Sequence, residues 1–267
     1  MPQLVICDID ATLVNEKKEL TPRTKEALIK LHEKGIYFGI ASGRPVDELK
    51  RNKERWDLPF DFDFVMGMNG AELWDGVHQK FYSYFMMKKE WLKETMEIMN
   101  VVECNPMVYW KGKIRCVRID NWMIHSASTS HKELEIVRLE DLYANENAKI
   151  MFRMKEEDMS KAEAWVKEHP NPYYHGFKTQ TTLLEFCDKR INKGYGLQKI
   201  CELNDMDLKD VMAFGDTSND NEMLKVAGCG VCMINGTDDT KACANAITTY
   251  DNDHDGLAIY LEESEIV

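Results

Sequence analysis

The chain has 267 residues, 44% of them hydrophobic and 30% charged, with a formal net charge of -12. Such a balance describes a folded globular protein rather than a disordered one, long enough for one large domain or two modest ones. The negative balance repels nucleic-acid phosphates and anionic membrane surfaces, and no apolar run approaches the roughly 18 residues of a membrane span, so neither nucleic acid nor membrane is expected as a partner.

The opening "MPQLVICDID" lacks a basic stretch followed by an apolar one, so a cytoplasmic location is expected. The eight cysteines, at 7, 104, 116, 187, 201, 229, 232 and 243, are scattered and are expected as reduced thiols. The C-x-x-C formed by Cys229 and Cys232 has no second pair to complete a metal set, and "GVCMI" has the look of a buried strand.

In chain order, "LVICDID" predicts a strand ending in acids. "TPRTKEALIKLHEKG" predicts a helix with Thr21 as N-cap, Pro22 in its first turn and Gly35 as its stop. "IYFGIASGR" predicts a second strand, so the first 40 or so residues form a βαβ unit whose strands must be parallel. From about 84 to 186 aromatic and charged residues mix. Strand-like alternation in "MVYWKGKIRCVRID" and "AKIMFRMKEEDM" is interleaved there with helical "KKEWLKETMEIM" and "MSKAEAWVKEH", which predicts an inserted α+β domain. Beyond 187 the alternation resumes, with a helix at "GYGLQKICELNDM", strands at "DVMAFGD", "CGVCMI" and "ITTY", and short helices between them. The expected architecture is α/β, with a Rossmann-like parallel-sheet core from residues 1–83 and 187–267 and an α+β insert over 84–186.

In an open parallel sheet ligands bind beyond the carboxyl ends of the strands, which singles out the residues expected there. Asp8 and Asp10, with Thr12 behind them, follow the first strand; Ser42 follows the second; Asp216, Asn219 and Asp220 follow "DVMAFGD"; Lys193 in "INKG" opens a helix after the insert. Each has an ordinary alternative as turn former, cap or solvated charge. Jointly they stand at one sheet edge, and so many carboxylates would repel one another without a bound cation.

The segments "DIDAT", "SGR", "INKG" and "GDTSNDNEML" resemble the four motifs of the haloacid dehalogenase superfamily, in particular its Cof-type (subfamily IIB) phosphatases with a C2-type cap between the second and third motifs. The spacing agrees, because only the gap between Ser42 and Lys193 has room for a further domain. The resemblance implies a phosphoric monoester hydrolase in which Asp8 is the nucleophile and Asp10 the general acid and base. Ser42, Lys193 and Asn219 would bind the phosphoryl group, and Asp8, Asp216 and the Asp10 carbonyl would hold Mg2+. Asp220 would position Lys193 or a metal-bound water, and Asn69 in "MGMNGAEL" resembles the family's loop beside the phosphate.

The implied substrates are small phosphorylated metabolites, sugar phosphates foremost, selected by the cap. Its Trp110, Arg118, Tyr173, Tyr174, His175 and Lys178 are candidate lining residues, although such residues more often pack the cap's own core or face solvent. A phosphomutase or phosphotransferase built on the same aspartyl phosphate remains an alternative. One departure from the family pattern is Ala11, where the family usually has Gly; a positive φ there would strain an alanine.

A last motif argues for a different class. "DNDHDGLAIYLE" matches the spacing of a calcium loop through Asp251, Asp253, Asp255, Gly256 and Glu262. Such a loop needs a helix on each side, whereas the preceding "AITTY" is β-branched and favours a strand. The expectation is therefore a scaffold loop whose acids cap the following helix, not a calcium module.

Overall fold

The computed structural model describes residues 1–267, and their contacts divide them into two units, Met1–Ser83 with Ile191–Val267, and Tyr84–Arg190. In chain order the strands are β1 (Leu4–Asp8), β2 (Tyr37–Ala41), β3 (Phe64–Gly67), β4 (Glu72–Asp75), β5 (Lys80–Ser83), β6 (Cys104–Trp110), β7 (Lys113–Cys116), β8 (Glu133–Ile136), β9 (Lys149–Met154), β10 (Tyr174–Gln180), β11 (Leu183–Asp188), β12 (Val211–Gly215), β13 (Cys229–Cys232) and β14 (Ala246–Ile247).

The first unit is built on an eight-stranded sheet in the order β14-β13-β12-β1-β2-β3-β4-β5. β1 lies at its centre and is buried at all five positions, as a parallel strand covered on both faces must be. The helix Pro22–Glu33 begins where the sequence places it: Thr21 Oγ1 accepts the Thr24 amide and Pro22 stands in the first turn. It ends at Gly35, whose φ of 72° is open to glycine at no steric cost. Its inner residues Leu28 and Leu31 join Val5, Phe38, Ile40, Leu257 and Leu261 in one core. β3, β4 and β5 form antiparallel hairpins that extend the sheet beyond its parallel part, an extension that "MGMNGAEL" did not announce.

The second unit is a six-stranded sheet in the order β10-β11-β9-β6-β7-β8, antiparallel except for β7 with β8. Alternation along β9 explains its two-sided packing. Ile150, Phe152 and Met154 join the core beneath the helices Lys89–Ile98 and Glu156–Glu168, whereas Met151 joins a second cluster with Met123 from the helix Asn121–Ser130. The return to the first unit comes later than the expected residue 187. β11 stays paired with β9 and β10 to its end, and Asp188, fully buried, is held by the Arg190 guanidinium at 2.7 and 2.9 Å, so the unit closes at Arg190.

The acidic C-terminal segment is tied into the first unit. Asp251 accepts the amides of Asp253 and His254, Asp253 Oδ1 accepts the Glu16 amide at 2.8 Å, and Asp255 Oδ1 accepts the Thr21 hydroxyl at 2.5 Å. Asn252 Nδ2 donates to the Val14 carbonyl at 3.0 Å, and Arg23 pairs with Glu262. Asp255 makes no side-chain cap on the helix Gly256–Glu263, contrary to the expectation for it; its backbone is left-handed, φ 59°, rather than the extended form of a capping residue, and its Oδ1 accepts from Thr21. All eight thiols are free, Cys229 and Cys232 at the two ends of β13.

Candidate active site

Register aligns the chemistry. Asp8 pairs with Ala41, which directly precedes Ser42, and Cys7 pairs with Phe214, two residues before Asp216. The carboxyl ends of β1, β2 and β12 thus bring Asp8, Ser42 and Asp216 to one edge of the sheet. Lys193 is the first residue of the helix Lys193–Leu203, whose N-cap Asn192 accepts the Tyr195 amide at 2.8 Å. Its ammonium is fully buried and donates to Asp8 Oδ1 and, at 2.5 Å, to Asp220 Oδ1.

Asp220 is placed by a turn. Its Oδ2 accepts the amides of Asp216 and Thr217 at 3.0 and 3.2 Å. Gly215 makes that fold-back possible, since a Cβ there would stand 2.4 Å from Asp220 Cβ. Thr12 Oγ1 donates to Asp216 Oδ1 at 2.9 Å, linking the loop after β1 to the loop after β12.

Asp8, Asp216 and Asp220 are all buried, with carboxylate oxygens within 4.8 Å of one another. Burial pushes the Asp8 carboxyl well up, and although the Lys193 ammonium pulls it down, Asp220 and Asp216 raise it further. Burial, then the Asp220 charge, pushes Asp216 up to about 6. Burial opposes the Lys193 ammonium, but Asp220 and Asp8 overcome it and hold the lysine above its ordinary value. With every acid ionised, three carboxylates face one ammonium, and the excess equals the charge of one divalent cation. An all-oxygen, densely anionic set of this kind fits a hard cation such as Mg2+.

The remaining expected residues take differing positions. The Asp10 carboxylate lies outside the three-acid group and pairs with Arg44 at 3.1 Å and Lys18 at 2.8 Å. Burial works against its ionisation, but Arg44 and Lys18 outweigh burial and hold the carboxyl below the usual range. Asp220 joins the two expected carboxylates, Asp8 and Asp216, in the buried three-acid group. Ser42 is buried, and its Oγ accepts the Arg44 amide at 3.3 Å. Asn69 has a left-handed backbone, φ 54°, that directs its amide to the Ser42 carbonyl at 3.0 Å; its Oδ1 accepts Asn219 Nδ2 at 3.3 Å.

Ala11 does take the positive φ, 60°, and its carbonyl accepts Asn235 Nδ2 at 2.8 Å. Left-handed backbone costs an alanine about 1–2 kcal/mol, and glycine's extra freedom in the unfolded chain recovers part of that difference. Ala11→Gly is therefore expected to raise the melting temperature by about 1–2 °C, a gain of roughly 0.5 kcal/mol; a lower melting temperature would contradict the strain.

In the second unit the singled-out residues make contacts within that unit, several of them at its surface. Tyr174 OH donates to Glu94 at 3.1 Å, Tyr173 stacks on Trp91 at 5.1 Å, Arg118 pairs with Glu103 and Trp110 lies under Arg115. Tyr174, His175 and Lys178 also line an open cavity of about 530 Å3 beside the helix Glu156–Glu168. Sequence reasoning missed Arg44 and Lys18. The first stood in plain view in "SGR", and the second was hidden in the charge run "NEKKE", which resembles a solvated loop.

The model of the haloacid dehalogenase-like hydrolase family matches residues 5–261. The chain belongs to that family. This hydrolase is 27% identical over 272 residues to the 5-amino-6-(5-phospho-D-ribitylamino)uracil phosphatase of Bacillus subtilis, covering 98% of its own length and 97% of the relative's. Its fold matches a haloacid dehalogenase-like hydrolase from Bacteroides thetaiotaomicron with a TM-score of 0.88 at 25% identity, over 99% of this chain and 100% of that one. It also matches a subclass IIB sugar phosphatase with a TM-score of 0.83 at 23% identity, over 99% and 100% of the two chains, a likeness of fold. The hydrolase is an enzyme of the family's phosphatase class. No helix is long and apolar enough to cross a membrane.

Proposed function

We propose that the hydrolase is a Mg2+-dependent phosphatase of small phosphorylated metabolites, sugar phosphates foremost, working through an aspartyl phosphate on Asp8. The observation that carries this reading is the buried group of Asp8, Asp216 and Asp220 around Lys193, short of positive charge by one divalent ion. The relatives' names favour the same class: one acts on a phosphorylated ribityl compound, and a structural neighbour is a sugar phosphatase.

Asp8, Asp216 and the Asp10 carbonyl, with Asp220 adjoining, would hold Mg2+, which when bound neutralises charge on the phosphoryl oxygens. In the first half-reaction an Asp8 oxygen bonds to phosphorus while the bond to the leaving oxygen breaks, and that oxygen takes its proton from the Asp10 carboxyl, which must first exchange an Arg44 or Lys18 contact for that proton. In the second, Asp10, now ionised, takes a proton from water as the water oxygen bonds to phosphorus. The bond to Asp8 breaks, inorganic phosphate leaves, and Asp10 is again protonated. Lys193, Ser42 and Asn219 bind the phosphoryl oxygens, with Asn69 supporting Asn219; Asp220 holds Lys193 and Thr12 orients Asp216. The 84–190 insert is the proposed substrate-selecting domain. The free thiols suit a reducing compartment, the cytoplasm.

Steady-state assay of p-nitrophenyl phosphate and a panel of sugar phosphates tests the reading. Phosphate release should require Mg2+, vanish with chelator and be inhibited by Ca2+. Full activity in chelator, or isomerised product in place of free phosphate, would overturn it.

A further inference from the structure

Ala11 stands between Asp10 and Thr12 with a left-handed backbone, φ 60°, a conformation that an alanine leaves when it is free to relax. The group that reaches it comes from the far side of β12. The turn after β13 is closed by the Gly236 amide on the Met233 carbonyl at 2.8 Å and is fastened to the end of β12. There the Met233 amide donates to the Gly215 carbonyl at 3.0 Å, and the Thr237 amide to the Asp216 carbonyl at 2.8 Å. The approach is close, since a Cβ on Gly236 would stand 2.6 Å from Cys232 Sγ and 2.8 Å from the Asp216 carbonyl oxygen. This fixed turn carries Asn235, whose Nδ2 donates to the Ala11 carbonyl at 2.8 Å across 224 residues of sequence. Asn235 is exposed, and a hydrogen bond so open to water adds little to the stability of the whole fold. Its effect falls instead on the local choice between a left-handed and a relaxed Ala11.

That choice matters because of the neighbours. The Leu13 and Val14 amides both donate to the Ile9 carbonyl, at 3.0 and 3.1 Å, which fixes the two ends of the loop, so a relaxed Ala11 must swing Asp10 and Thr12. Thr12 Oγ1 is the group that orients Asp216, at 2.9 Å. We propose that Asn235 is a positioning residue, which holds Ala11 in its left-handed form and so keeps Asp10 and Thr12 in place beside Asp8 and Asp216. The proposal rests on the reading of this sheet edge as the phosphatase site. Its signature is a dependence on residue 11: glycine accepts a positive φ without strain, so in Ala11→Gly the Asn235 bond has no strain to offset.

The test measures kcat and KM on p-nitrophenyl phosphate, well below the melting temperature, for Asn235→Ala and Asn235→Leu in the parent enzyme and in Ala11→Gly, beside Asp8→Asn. In the parent each Asn235 variant should lower kcat about tenfold with KM nearly constant, because the rate follows the fraction of molecules that keep the productive loop. In the Ala11→Gly background the same substitutions should lower it about twofold or less. The metal-free melting temperature should move by less than about 3 °C in either Asn235 variant. Equal losses in both backgrounds, no loss in the parent, or a rise in KM alone would overturn the assignment of Asn235. Should Asp8→Asn abolish turnover while Asn235→Leu spares it, the role of Asn235 falls by itself. Should Asp8→Asn retain turnover, the reading of the site falls and takes Asn235 with it.

Discussion

Asp8→Asn is expected to reduce turnover of p-nitrophenyl phosphate by at least about a thousandfold while leaving the fold intact. An amide cannot form the acyl phosphate bond, yet it matches the volume of the carboxyl it replaces. It also resembles the protonated form that burial and the neighbouring acids favour at this position, so the melting temperature without added metal should not fall. Phosphate release and thermal melting, measured on the same sample, check both halves. Activity above about 1% of the parent enzyme would remove Asp8 from the nucleophile's role.

Lys193→Met should be costly in two ways. The methionine fills a fully buried site but leaves Asp8 and Asp220 without their shared ammonium, and breaking a buried pair from one side costs about 3–5 kcal/mol. The expected signs are a melting temperature lower by about 10 °C at pH 8 and loss of catalysis. The pH dependence follows from the acids. Asp216 titrates near 6 in the folded protein, above its unfolded value, so between about pH 4 and 6 the folded state holds more protons than the unfolded one. Lowering the pH through that window therefore stabilises the metal-free fold, and because the Lys193 charge that lowers the Asp8 and Asp216 carboxyls is gone in the variant, protonation relieves it more than the parent, so its deficit should be smaller at pH 5 than at pH 8. A deficit that grows on acidification would show that Lys193 does not serve to balance the acids.

The sheet edge was legible because parallel strands buried on both faces are apolar runs, and the polar residues that end them have few reasons to be there. Asp8, Ser42 and Asp216 were found in that way, and Lys193 from its place before a helix. Geometry settled at longer range was not legible. Whether Asp10 turns toward the other acids or toward Arg44 depends on a loop that bends at Lys18, and nothing in "NEKKE" separates that lysine from its neighbours. Asp220 enters the three-acid group because Gly215 allows its side chain to fold back against the strand end, a steric condition visible only in three dimensions. In the segment with calcium-loop spacing, Asp253 and Asp255 are engaged by Glu16 and Thr21, far away in sequence, partners that the sequence did not indicate.

The order in which the chain is made bears on the buried charges. The ammonium partner of Asp8 lies 185 residues later, after the whole insert. β1 sits between β2 and β12, so until Val211–Gly215 is available the central strand has one neighbour and an open edge. The insert, by contrast, is continuous in sequence and closes at Arg190. During synthesis the interrupted unit must therefore wait for Lys193 and Val211–Gly215 before Asp8 meets its partners. A ribosome stalled within the insert therefore holds a chain in which Asp8 has neither Lys193 nor β12 beside it.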